Sequence, residues 1–246
     1  MKILLTALVL LLAQAPAQTS DIAGRVLKPD NSPASGMSVE ILQLDSSNEG
    51  VREWRPVEGE ATTDAEGAYR ISGVRPGQYY LRVIKRPPLD AGGTITASSV
   101  DWIPTTYFPG TLNAALASSV TVAAGQSLTR DVPIPQTNPY TVSGRIVNSL
   151  PDMAGRPIQL ALIRRDFGAP VESQSGKSLE TLRLPAGGDG KFEIRGVPSG
   201  SYELVATLWS GNVSVSGQSW IAKAAFEVAD QDIDGVSATL QSPALK

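Results

Sequence analysis

The stretch Asp64-Ala65-Glu66-Gly67-Ala68-Tyr69-Arg70-Ile71 carries the fold. Tyr69 and Ile71 alternate with Ala68, Arg70 and Ser72, the period of two expected of a strand with one buried face. Glu66-Gly67 just ahead of it suits a tight turn that needs positive φ at the glycine. Downstream, Gly73-Val74-Arg75-Pro76-Gly77 reads as a short loop, and Tyr79, Leu81 and Val83 then alternate with Tyr80 and Arg82 as a second strand. Upstream, Val39 and Ile41 flank Glu40 in the same rhythm.

The same sentence of residues is written twice. Asp64 to Ile71 returns as Gly187-Gly188-Asp189-Gly190-Lys191-Phe192-Glu193-Ile194. Ile22-Ala23-Gly24-Arg25-Val26 returns as Val142-Ser143-Gly144-Arg145-Ile146. Gly73 to Leu81 returns as Gly196-Val197-Pro198-Ser199-Gly200-Ser201-Tyr202-Glu203-Leu204. Order and spacing are nearly kept, which marks a duplication. The buried sets of the second copy are Ile158, Leu160 and Leu162, then Phe192 and Ile194, then Tyr202 and Leu204.

Short strands punctuated by Gly and Pro, with no amphipathic helix after the N-terminal segment, predict an all-β protein. The expected architecture is two tandem seven-stranded β-sandwiches of Greek-key, immunoglobulin-like type. The boundary falls in Pro133-Ile134-Pro135-Gln136-Thr137-Asn138-Pro139, whose three prolines predict an extended, stiff link at about 3.1 Å per residue. The expected domains are residues 18–136 and 137–246.

Residues 1–17 read as a signal peptide. Met1-Lys2 is a minimal basic start, Ile3 to Ala13 is apolar, and Ala15-Pro16-Ala17 is a small-x-small cleavage pattern. The apolar run is shorter than the roughly 20 residues that span a bilayer. The expectation is export to a periplasm or the exterior, with no membrane span. Loss of Lys2 takes the formal net charge from −3 to −4.

The 246 residues contain no His and no Cys. That excludes a Ser-His-Asp triad, a Cys nucleophile and a His general base. It also excludes the usual zinc sites, Cys- or His-held haem and iron–sulfur clusters, disulfides, and a lipid anchor on an N-terminal cysteine. No cofactor is expected. Lys and Arg total 21 against 24 Asp and Glu, which gives no electrostatic footprint for nucleic acid.

These residues resemble the carboxypeptidase regulatory-like domain, a transthyretin-like, carbohydrate-binding-like sandwich. The resemblance rests on Ala23-Gly24-Arg25-Val26, Val39-Glu40-Ile41, Asp64 to Tyr69 and Gly73 to Tyr79, and on their second copies. The second copy departs by placing Ser199 where the family has Pro, with Pro198 one position earlier. Tyr107-Phe108-Pro109-Gly110-Thr111 followed by Val120 to Gly125 resembles exported bacterial multi-repeat members. The resemblance implies a non-catalytic module, because the enzymatic relatives of the fold work through His.

Four candidate sites stand out. Ser175-Gly176-Lys177-Ser178 is similar to the end of a phosphate loop but has Val171 where the first Gly belongs. Asp230-Gln231-Asp232-Ile233-Asp234-Gly235 matches the opening of a calcium loop, yet position twelve is Gln241 and no helices flank it. A solvated acidic turn is the simpler reading. Acidic residues elsewhere are scattered, which leaves a carboxylate-dependent hydrolase without a distinctive pair. The remaining candidates are aromatic: Trp54 in a polar loop, Trp102, Tyr107 and Phe108 in the long insertion after Ile84, and Trp209 and Trp220 in the shorter insertion of the second copy. Such side chains either cap the ends of their sandwiches or present flat faces to a ligand such as a sugar ring. The expected function is a non-catalytic exported binding or structural module contacting envelope protein or polysaccharide, with specific carbohydrate binding through the loop aromatics as the alternative.

Overall fold

A computed structural model describes residues 19–46, 52–86, 99–101, 103–150, 156, 158–165, 189–210 and 218–241. Residues 1–17, expected to be a signal peptide, Trp102 and Ser175-Gly176-Lys177-Ser178 lie outside them.

The alternating stretches all form strands. In the first copy these are β1 (Ser20–Leu27), β2 (Ser38–Ser46), β3 (Arg52–Thr62), β4 (Ala68–Val74) and β5 (Gly77–Ile84). After them come β6 (Ser99–Asp101), β7 (Thr106–Tyr107), β8 (Val120–Val122), β9 (Ser127–Thr129) and β10 (Val132–Pro133). The second copy holds β11 (Tyr140–Asn148), β12 (Ile158–Arg164), β13 (Lys191–Val197), β14 (Gly200–Trp209), β15 (Ser219–Val228) and β16 (Ile233–Leu240). The described helical structure is one 3₁₀ turn at Ala114–Leu116.

In the first copy β1 lies between β4, antiparallel to it, and β9 and β10, parallel to it. The facing sheet runs β3-β2-β5, and β8 and β7 share the far edge of β5. Ile22, Val26, Tyr69 and Ile71 from one sheet pack on Val39, Ile41, Tyr79, Leu81 and Val83 from the other. These are the inward members of each alternation, so the period of two selects the core.

The second copy repeats the plan. Its β11 lies between β13 and a parallel β16, and β12-β14-β15 forms the facing sheet. Val142, Ile146, Phe192, Ile194, Tyr202 and Leu204 are among its buried core. Six strands of its own are described. The position beyond β13 is taken by β6, which runs parallel with Glu193 opposite Ser99 and Arg195 opposite Asp101. A strand from the insertion after β5 thus completes the edge of the other sheet, a connection that alternation alone does not encode.

The parallel pairing of first and last strands imposes one sequence requirement in both copies. A Cβ on Gly24 would stand 2.0 Å from the Arg130 carbonyl oxygen, and one on Gly144 would stand 1.9 Å from that of Val236. Gly67 and Gly190, which open β4 and β13, have φ of 71° and 77°, as their turn context requires. Between the copies, β10 ends at Pro133, the Ile134 N–H donates to the Leu27 carbonyl at 2.8 Å, and β11 begins at Tyr140.

Candidate functional site

The outward face of the β3-β2-β5 sheet gathers three aromatics of the first copy. Register places Trp54 opposite Leu44 and Tyr80 opposite Leu42. Trp54 meets Tyr80 edge-on with ring centroids 4.4 Å apart, and Tyr107 lies 6.3 Å away. Tyr107 is buried at 3% exposure, whereas Trp54 is half-buried. Ala114 and Ala117, from the segment after β7, pack on Leu42 and Tyr107 and cover this face. Trp54 is therefore a strand residue, and the loop expected from its polar neighbours is part of β3. Those neighbours belong to a strand because the cross-strand partner β2 extends to Ser46.

Beside the aromatics lies an ion network that outward alternation would leave in water. The Arg82 guanidinium donates to the Glu40 carboxylate, and Arg86 bridges Glu40 at 2.7 Å and Glu60 at 2.6 Å. Arg82 is 0% exposed and its Nη1 has no hydrogen-bond partner. Sequence reading missed this cluster because Glu40 and Arg82 each sit at an outward position. Register sets them directly opposite each other, with Tyr107 of β7 beside Arg82 on its other side.

Phe108 is half-buried against the main core of the first copy. Trp220 faces inward on β15 beside Leu208 and packs, half-buried, on the core of the second copy, its indole Nε1 without a partner. Trp209 faces the other way at the end of β14 and is 44% exposed. The structure thus splits the six aromatic candidates: Trp54 and Tyr107 come together, Phe108 and Trp220 fold inward in separate copies, Trp209 is presented to solvent, and Trp102 is not described. Trp209 and Trp220 are strand residues flanking their insertion rather than members of it.

The sheet face beneath Trp209 is the counterpart of the covered face in the first copy, and it is differently built. The Glu40–Arg82 pair corresponds by register to Ala161–Val205, and Leu42 corresponds to Ile163. Ile221, across from Thr207, is 59% exposed. At one end, Glu203 pairs with Arg165 and, at 3.5 Å, with Lys223. Trp209 and Ile221 are the large apolar side chains exposed on this face among the described residues.

The acidic turn after β15 is committed to the protein itself. The Asp232 carboxylate accepts from the Thr141 N–H at 2.8 Å, and that of Asp234 accepts from the Ser143 hydroxyl at 2.7 Å. Both fasten β16 to β11. Among the described residues no three Asp or Glu side chains converge as a metal site, and no helix is long and apolar enough to cross a membrane.

Residues 21–135 match the family of carboxypeptidase regulatory-like domains. The first copy is therefore similar to the carboxypeptidase regulatory-like domains. The matched residues run from β1 to just beyond β10. No curated protein matches the chain. Solved structures similar to it include the Bacillus anthracis TIE protein, at 13% identity and TM-score 0.29, covering 91% of this chain and 34% of that one. The Streptococcal ancillary pilin is 16% identical at TM-score 0.33, with 94% and 65% covered. The minor pilin GBS52 of Streptococcus agalactiae is 15% identical at TM-score 0.34, with 92% and 98% covered. The chain therefore spans about a third and about two thirds, respectively, of the first two.

Proposed function

We propose that this chain is a non-catalytic, exported binding module that contacts protein or glycan at the cell envelope. In this reading residues 1–17 direct export, and residues 18–136 and 137–246 are tandem domains. The observation that carries it is the open face of β12-β14-β15, where Trp209 and Ile221 stand exposed above Val205 and Ile163. The same face of the first domain is closed by its own segment, so the second domain offers what the first conceals. The lack of His and Cys fits a role in binding rather than catalysis.

Envelope extract passed over the immobilised protein tests this reading. Protein or polysaccharide retained by the native chain and released by the pair Trp209→Ala and Ile221→Ser is the expected result. Equal retention by the native chain and the double variant overturns the assignment of the face. The carbohydrate alternative draws on Trp209, an exposed aromatic side chain of the kind that stacks on sugar rings. A glycan array probed with native protein and with Trp209→Ala separates it from protein contact.

A further inference from the structure

The strand beyond β14, and beyond its counterpart β5, is built differently in the two copies. In the first copy two fragments share that position. Tyr107 of β7 stands opposite Arg82, and Val120 to Val122 of β8 stand opposite Tyr79 to Gly77. The fragments are two and three residues long, and the 3₁₀ turn Ala114–Leu116 lies between them. In the second copy one strand, β15, fills the whole position. Its ten residues pair with β14 in unbroken register, from Ser219 opposite Trp209 to Val228 opposite Gly200. Short edge strands, prolines and bulges are the usual guards against strand addition. β15 has no Pro, no Gly and no register shift. Among the described residues it pairs with β14 alone, so its other edge is open.

The hydrogen-bond phase of β15 fixes which residues that edge offers. The Ser210 N–H donates to the Gln218 carbonyl at 2.9 Å, and these two residues come directly after the opposed pair Trp209 and Ser219. In an antiparallel pair, hydrogen-bonded opposition recurs at every second residue. Even-numbered residues of β15 therefore turn their N–H and C=O to β14. Odd-numbered residues, Ile221, Lys223, Ala225 and Glu227 among them, turn theirs to the open edge. All four are exposed, with side chains on the outward sheet face. Their charges are unevenly matched within the chain. Glu203 serves both Arg165 and Lys223, whereas Glu227 is in no ion pair among the described residues.

We propose that β15 is a self-association edge, on which a second copy of this chain adds its own β15 antiparallel. Odd residues must then oppose odd residues, because those carry the free backbone groups. Charge selects among the registers that remain. Centring on Lys223 sets two lysines face to face, which is destabilising. Centring on Ala224 leaves Lys223 opposite Ala225 and Glu227 opposite Ile221. Centring on Ala225 sets Lys223 opposite Glu227 of the second copy, twice by symmetry, with the small Ala225 side chains meeting on the axis. No other register pairs both charges. It aligns residues 222–228 and forms about six backbone hydrogen bonds between the chains. On the inward side it sets Ala224 opposite Phe226, whose ring is half-buried and stacks on Tyr202 at 6.0 Å. A foreign strand would meet the same backbone groups, but the four-residue spacing of Lys223 and Glu227 is matched by β15 itself. The contact is isologous, so it closes at two copies. It stands or falls separately from what the Trp209 face binds.

The chain contains no Cys, so single cysteines introduced into the full chain report the register directly. Cα atoms of a hydrogen-bonded antiparallel pair are about 5.5 Å apart, within reach of a disulfide. Ala225→Cys is expected to give a covalent dimer on oxidation. Lys223→Cys alone is not, because the two positions lie about 13 Å apart along the strands. Mixed with Glu227→Cys chains, it should cross-link. Sedimentation of the native chain should show a monomer–dimer equilibrium. Ala225→Pro removes an N–H that faces the open edge, a place where a strand tolerates proline, and should weaken the dimer about tenfold or more. Glu227→Lys is a surface change that brings like charges together and should weaken it about tenfold. Trp209→Ala should leave it unchanged. A chain still monomeric at about 1 mM, a dimer indifferent to both Ala225→Pro and Glu227→Lys, or Lys223→Cys cross-linking alone as fast as Ala225→Cys would each overturn the proposal.

Discussion

The Tyr79 hydroxyl donates to the carbonyl of Arg75, four residues upstream, at 2.9 Å. In the second domain the Tyr202 hydroxyl makes the same bond to Pro198, also at 2.9 Å. Each tyrosine buries its ring in the core and uses its polar tip to pin the loop that enters the strand, in the manner of the tyrosine corner of β-sandwiches. Tyr79→Phe and Tyr202→Phe keep the ring and leave a carbonyl without its donor. Each is expected to lower stability by about 1 kcal/mol, read from urea unfolding monitored by tryptophan fluorescence.

Gly24→Ala and Gly144→Ala are expected to be far more damaging. The clash in each case is with a backbone oxygen of a neighbouring strand rather than with a side chain that can swing away. The strand pairing itself must shift, for a loss of about 3 kcal/mol. Each substitution should lower the unfolding midpoint of its own domain while the other domain keeps its transition.

The Glu40–Arg82 pair offers a test in which the protein supplies its own control. Glu40→Ala leaves the fully buried Arg82 without its principal counter-charge and is expected to cost about 3 kcal/mol or more. Glu40→Ala combined with Arg82→Val copies the Ala161–Val205 arrangement of the second domain and should recover most of that loss. A double-mutant cycle in urea measures the coupling. A double variant less stable than Glu40→Ala alone would contradict the equivalence of the two faces.

Alkaline stability should depend on Tyr69. Its hydroxyl donates to the Arg130 carbonyl at 2.6 Å. Burial, and next the negative charge of Asp131, push its pKa well above the ordinary tyrosine value, against a smaller opposing effect of Arg130. The unfolded chain therefore releases this proton first, at about pH 10. Stability is full below that pH and falls as pH rises above it toward the folded-state value, because the unfolded state then binds fewer protons than the native one. Tyr69→Phe should flatten the decline of the first domain, as measured by urea midpoints between about pH 9 and 11. The second domain has Phe192 at the equivalent register position and serves as the internal reference.

The loop placement of Trp54, Trp209 and Trp220 shows where sequence reading stopped. Polar neighbours and long insertions pointed to loops, but cross-strand hydrogen bonding carries β3, β14 and β15 through all three positions. The acidic run reads as a solvated turn, and the turn ends at Asp232, with β16 beginning at Ile233. That Asp232 and Asp234 fasten β11 was not legible, because their partners Thr141 and Ser143 lie 91 residues away in the chain.

Alternation, turn glycines and the duplicated motifs were enough to name the inward residues, because a strand places every second side chain on the same face whatever lies around it. The absence of His and Cys likewise needed no structure to exclude catalysis that depends on either residue. Tertiary structure alone decided what happens to the outward residues. Alternation cannot say whether an outward side chain will be covered, so Glu40 and Arg82 are buried while Ala161 and Val205, at the same register, are only half-buried. Nor can it set register, which depends on strands far apart in sequence and which brings Arg145, Lys191 and Ser237 into one row.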